Sequence, residues 1–370
     1  MLSSRSVLPR RLNLIWYYIF LPYGLSLSSG HHHPKYPRVK KFMYFFLLIF
    51  QVISNFLLFY LSMTHKILTE IEIFNVLALS IITISGFASN MVLHNQQKNV
   101  SLLLQKLVTS LQKSKSSLFN IWRRLITYLV LFTLHMLIYL IIHTLEFYQH
   151  NELSFLTNNR NKTAILDENL TKDHVKILVY IGSMQWYILC YVFIGIATIL
   201  CIYSCQLSAR NFELLTRTIE HSINSNIALN NQYLKKIILK YEAHCIDTEQ
   251  ISRLFSPLIL IWTAVGVAVV AYSINTFLIT SQLSIQAAMF VLRECFLLFL
   301  LYTHANDINL KASATALLIS TLPVEDNTEE TVAGNISNIK ASAWQLLFTT
   351  RLQNRRIGIN VSNLYIIKSM

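Results

Sequence analysis

Two ionisable residues stand side by side inside an apolar run. Residues 285–305 read IQAAMFVLRECFLLFLLYTHA, interrupted by Arg293 and Glu294. Charge at such a position is costly, which makes the residues that carry it candidates for function. Neighbours on a helix point about 100° apart, so the two are not expected to pair face to face. Each should meet a water-filled pocket or a polar partner on another helix, and His143 and Glu146 are the natural partners or pocket neighbours for Arg293. Tyr139, His143, Gln185, Trp186, Tyr272, Asn275 and Phe290 sit at a similar depth in their own apolar runs. Aromatic walls with a few polar groups suit a small-molecule site. The competing reading makes these rings ordinary helix packing or an interfacial belt.

Nothing in the pattern suits catalysis. GxxxxGK[ST], GxGxxG and HExxH are all missing from the sequence, so neither an enzyme nor a cofactor nor a metal site is expected. His31–His33 are adjacent, and three consecutive side chains cannot all face one ion on a regular element; a solvated loop is the better reading. Cys190, Cys201, Cys205, Cys245 and Cys295 all fall outside the segments placed beyond the cell, which argues against a disulfide framework.

The elements that would carry these residues are membrane helices. The chain has 370 residues, 54% of them hydrophobic and 13% charged. A soluble domain carries about 25% charged residues. The formal net charge of +13 resembles a nucleic-acid binder's, but the cations lie between apolar runs, so no nucleic-acid partner is expected. A helix needs about 20 apolar residues to cross the hydrocarbon core. Residues 42–63, 71–93, 125–147, 177–204, 254–280 and 285–305 meet or approach that length, and an incomplete seventh run begins near Gly358. The expected fold is therefore all-α: a polytopic bundle with six full transmembrane helices and a truncated seventh.

Orientation follows from Lys and Arg. Segments 1–41, 94–124, 205–253 and 306–357 hold seven, six, six and five of them. The alternate connections 64–70, 149–174 and 281–286 hold one, three and none. This places the amino terminus in the cytoplasm and 149–174 outside, in the plasma membrane. Asn161-Lys-Thr163 and Asn169-Leu-Thr171 are then accessible sequons, with Asn161 and Asn169 the expected glycan sites. The domain plan is a cytoplasmic segment 1–41, a bundle over 42–305 with helical loops 94–124 and 205–253, a cytoplasmic helical segment 306–357, and 358–370. In 205–253 and 306–356 the apolar residues recur at helical spacing, for example Leu234, Ile237, Ile238 and Tyr241, so the spans should continue as helices below the membrane. Leu12–Leu27 is apolar but short, broken by Pro22 and Gly24, and is expected to lie at the cytoplasmic face. PVEDNTEE, at 323–330, reads as a break before a helix near 332–354.

With this topology the chain resembles the insect gustatory receptors of the chemoreceptor superfamily shared with odorant receptors. Tyr241 followed by IDTEQISRLFSPLIL is similar to the family's approach to its fifth span, and THANDINLKASATALL to its exit from the sixth. WQLLFTTRLQNRRIGINVSNLYIIKSM resembles the lead into the final helix. The resemblance implies a ligand-gated cation channel, a homo- or hetero-tetramer with other gustatory receptors, and a small-molecule tastant as ligand, in contact with membrane lipid. The family's closing pattern of Thr-Tyr, five apolar residues and Gln-Phe does not occur, so the chain by itself is expected to conduct no ligand-gated current. A secondary transporter using Arg293 and Glu294 is the alternative. A G-protein-coupled receptor conflicts with the inside amino terminus.

Overall fold

The computed structural model describes residues 15–25, 27, parts of 42–53, 70–112, 115–158, 184, 187–225, 231–280, 285–322, 348, 360–361 and 364–365. Five long helices dominate. They are α1 (Glu70–Leu111), α2 (Lys115–Asn158), α3 (Phe193–Asn224), α4 (Asn231–Thr280) and α5 (Ile285–Ser320), with a π-helical turn, Tyr187–Val192, leading into α3. At 1.5 Å per residue, the 50 residues of α4 measure about 75 Å, against a hydrocarbon core of about 30 Å. More than half of α4 therefore extends beyond the bilayer, as the spacing of Leu234, Ile237, Ile238 and Tyr241 anticipates. α1, α3 and α5 likewise run past their apolar stretches without a break, to Leu111, Asn224 and Ser320.

Among the described residues, four helices are long and apolar enough to cross a membrane: Leu118–Leu145, Tyr187–Asn224, Gln232–Asn275 and Ala288–Ser320. The expected span 71–93 is helical throughout within α1, whereas 42–63 lies largely outside the described residues.

Burial separates the centre of the bundle from its rim. In α3, 89% of the most apolar window is buried, against 17% in α2. α3 packs on α5, α1, α4 and α2 in turn, and a helix apolar on all sides suits that central place. On α2, Val130, Leu134, Leu137 and Ile141 point outward from the bundle. An apolar face of this kind is stable against lipid tails, where water would penalise it.

Because lipid is as apolar as Leu, polar contacts help to hold such helices together. Trp262 Nε1 donates to Ser89 Oγ at 3.2 Å, joining α4 to α1. Ser208 and Thr248 hydroxyls meet at 2.9 Å between α3 and α4, and Thr216 and Thr315 at 2.8 Å between α3 and α5. His304 Nε2 on α5 lies 3.0 Å from Gln206 Nε2 and 3.2 Å from Tyr128 Oη, tying α3 and α2 to it. Tyr241 Oη reaches the Ala312 carbonyl at 3.3 Å, and its ring packs 5.4 Å from Phe348.

The helix beginning at residue 15 packs one face on the bundle: Trp16, Phe20, Leu25 and Leu27 are buried, with Trp16 against Tyr203 and Phe20 against Phe193 of α3, while Tyr18 is exposed. Pro22 and Gly24 turn the chain there, Gly24 at φ 72°, a conformation that a Cβ disfavours. One expectation needs correction, the seventh helix expected from Gly358. Among the described residues of 358–370 none is helical; Asn360 pairs with Tyr365 and Val361 with Leu364 in an antiparallel ladder lying against α4. β-branched Val361 favours extended chain. The segment 323–330, the expected helix near 332–354 apart from Phe348, and His31–His33 lie outside the described residues.

Candidate ligand-binding site

Arg293 is the centre of the site. It lies early in α5 with only 4% of its surface exposed, and Glu294 is equally buried. The two form an ion pair through Arg293 Nη1 and Glu294 Oε1. This corrects the expectation that neighbours 100° apart would not meet. The long Arg side chain swings the guanidinium back to the carboxylate, because in an apolar interior each charge is otherwise stranded. The second nitrogen, Nη2, donates to the Tyr191 carbonyl at 2.7 Å. The guanidinium carbon sits 3.6 Å from the Tyr191 ring centre and 5.5 Å from that of Phe132, so the remaining faces of the cation rest on π-systems.

Tyr191 belongs to the π-helical turn, an element frequent at functional sites. Tyr187 and Tyr191 are four residues apart and both point into the bundle, as do Tyr139 and His143 on α2. Tyr139 stacks on Tyr187 with ring centres 4.1 Å apart and on His143 at 5.8 Å. Phe290, one turn before Arg293, lies 5.0 Å from Tyr139 and 4.9 Å from Tyr191, edge-on to the latter. A continuous chain of rings therefore runs from His143 to the guanidinium, built by α2, α5 and the turn before α3.

Gly195 makes this packing possible. A Cβ there would sit 2.4 Å from Phe132 and 2.5 Å from Arg293 Nη2. Gly195→Ala is therefore expected to displace the guanidinium or the ring and to lower thermal stability, by about 1–3 kcal/mol for an overpacked core. A melting curve identical to that of the unmodified chain would contradict the close approach.

Of the residues singled out from sequence, Tyr139, His143, Phe290 and Arg293 come together. Tyr272 and Asn275 are half-buried on α4. Gln185 and Trp186 lie outside the described residues, as do Asn161, Asn169 and the side chain of Glu146. His143, expected as a partner or pocket neighbour of Arg293, stacks on Tyr139. Sequence reasoning missed Tyr187, Tyr191, Phe132 and Gly195. The four-residue spacing of Tyr187 and Tyr191 was the available signal; nothing local marks Phe132 or Gly195.

No family model matches the chain, and neither does any curated protein sequence. Solved structures do. The insect olfactory receptor OR5 from Machilis hrabei superposes with a TM-score of 0.62 at 12% identity, over 95% of this chain and 92% of that one. The same receptor in complex with eugenol superposes with a TM-score of 0.55 at 12% identity, over 94% and 98%. The chain shares the fold of this olfactory receptor. Within this fold the ring chain and the Arg293–Glu294 pair occupy one end of the bundle, where α2 approaches its end and α5 begins. Lys106–Asp247 and the Tyr241–Phe348 contact occupy the other.

Proposed function

We propose that the chain is a gustatory-type chemoreceptor, a subunit of a tetrameric ligand-gated cation channel that takes small-molecule tastants among Tyr139, Tyr187, Tyr191 and Phe290. The observation that carries this reading is the stack of four rings against a buried guanidinium in a chain with the fold of that olfactory receptor. Flat, amphipathic rings supply contact area to a small apolar ligand, and the Arg293 guanidinium and Tyr hydroxyls supply orientation. Eugenol, the ligand of the OR5 complex, is a first probe of that chemistry. The test is electrical: the chain is expressed in heterologous cells, alone and with other gustatory-type subunits, and challenged with a panel of small molecules. A cation current that needs this chain, and whose dose–response shifts in Tyr139→Ala while surface expression is unchanged, supports the reading. A panel response that Tyr139→Ala and Tyr187→Ala both leave untouched overturns the assignment of the site.

The same reading places the amino terminus in the cytoplasm and the 149–174 connection outside the plasma membrane, on the asymmetry of Lys and Arg. An epitope before Met1 is expected to be reached by antibody only after permeabilisation. Glycosidase should sharpen the mobility of the chain, and Asn161→Gln with Asn169→Gln should abolish that shift. Labelling of intact cells through the amino-terminal epitope would invert the map.

A further inference from the structure

Away from the ring chain, α1 and α4 leave a groove of about 550 Å3 between them. Its wall carries five polar side chains, Gln96, Asn99 and Lys106 from α1 with Gln250 and Arg253 from α4, and Leu103 and Leu254 close its base. Lys106 is tied to buried Asp247, yet its side chain stays 54% exposed, so an ammonium with three donors keeps some of them for another acceptor. Arg253 is exposed and makes no ion pair with any described residue. Segment 94–124, which supplies the α1 wall, contains no acid at all.

The position of the groove selects its ligand. Arg253 is the residue before the apolar run 254–280, so it stands where α4 enters the bilayer. Asp247, opposite Lys106, lies six residues earlier, about 9 Å along the helix. That reach resembles the polar layer of a leaflet, about 5–8 Å beyond the hydrocarbon on each side. Leu102 flanks the ammonium and is 63% exposed, an apolar contact that a free anion would not use.

We propose that this groove seats the phosphate-bearing headgroup of an anionic lipid of the cytoplasmic leaflet. Arg253 and Lys106 take the phosphate oxygens, and the amides of Gln96, Asn99 and Gln250 take headgroup hydroxyls. The assignment rests on the cytoplasmic placement of 94–124 and 205–253 and is independent of any tastant.

The full chain, purified into phosphatidylcholine nanodiscs with and without phosphatidylinositol 4-phosphate, tests it by native mass spectrometry of retained lipid. Retention of the phosphoinositide over phosphatidylcholine is expected, with an affinity about fivefold weaker in Arg253→Gln. Arg124→Gln removes an exposed cation at the same point of α2's apolar run but outside the groove, and is expected to leave retention unchanged. Lys106→Gln leaves Asp247 buried without its partner, so Gln250→Leu, on an exposed position, serves as the second groove variant and should also weaken retention. Equal loss in Arg124→Gln would mean diffuse surface attraction and overturn the site. So would retention no better than phosphatidylcholine. Inositol 1,4-bisphosphate or inorganic phosphate binding as tightly as the lipid would assign the groove to a soluble anion and overturn the lipid proposal.

Discussion

Arg293→Ala is expected to lower the unfolding stability of the chain by about 3–5 kcal/mol, and Glu294→Ala by a similar amount. Each substitution leaves the other charge without its partner at a site only 4% exposed to solvent. In Arg293→Ala the Tyr191 carbonyl also loses the Nη2 hydrogen bond, and the rings of Phe132 and Tyr191 lose the plane that they cover. The double variant Arg293→Met with Glu294→Leu removes both charges at similar volume and should recover most of the loss, because a buried pair offsets its own desolvation with little to spare. Thermal unfolding of the purified chain in nanodiscs reads all three. Single variants within about 0.5 kcal/mol of the unmodified chain, the range of ordinary surface substitutions, would show that the pair is hydrated and that the enclosing rings are open.

The second large effect lies at the opposite end of the bundle. Phe212 on α3 is fully buried, 5.6 Å from the Tyr241 ring and 5.7 Å from His244. Phe212→Ala is expected to cost about 3–5 kcal/mol, since it combines lost apolar burial with a cavity that long helices cannot close. Leu134→Ala on α2 removes an equally apolar side chain from a position 52% exposed to the surroundings of the bundle, and should change stability by less than about 0.5 kcal/mol. The difference tests the layering directly: α3 as the central helix, α2 with its outer face against lipid. Equal losses at the two sites would sink that arrangement.

How much of this was legible in advance differs by residue. The helical continuation of α3, α4 and α5 beyond their apolar stretches was written in the spacing of residues such as Leu234, Ile237, Ile238 and Tyr241, because each helix buries one stripe and repeats it every turn. Tyr139, His143, Phe290 and Arg293 were also identifiable, as aromatic or ionisable residues at matching depth in apolar runs. Their partners were not. Pairing Arg293 with Glu294 depends on the flexibility of a long side chain in a closed interior, and spacing on an ideal helix argues against it. The packing of Trp16 and Phe20 on α3 was not legible, because an apolar segment suits an interface and a groove beside a helix alike. The residues 360–361 and 364–365 were misread because a short apolar run near Gly358 suits a helix and a strand alike.

By itself, the sequence determined that this is a helical membrane protein, which stretches are apolar enough to cross, and in which connections the cations collect. Those are properties of local composition, and lipid acts on each segment separately. The tertiary structure alone decided that α3 is central, that Tyr187 and Tyr191 reach across to α2 and α5, and that Gly195 leaves room for a guanidinium. Such contacts join residues about 50 to 100 positions apart. They depend on the rotation and depth of each helix against its neighbours, which packing sets and no single segment encodes.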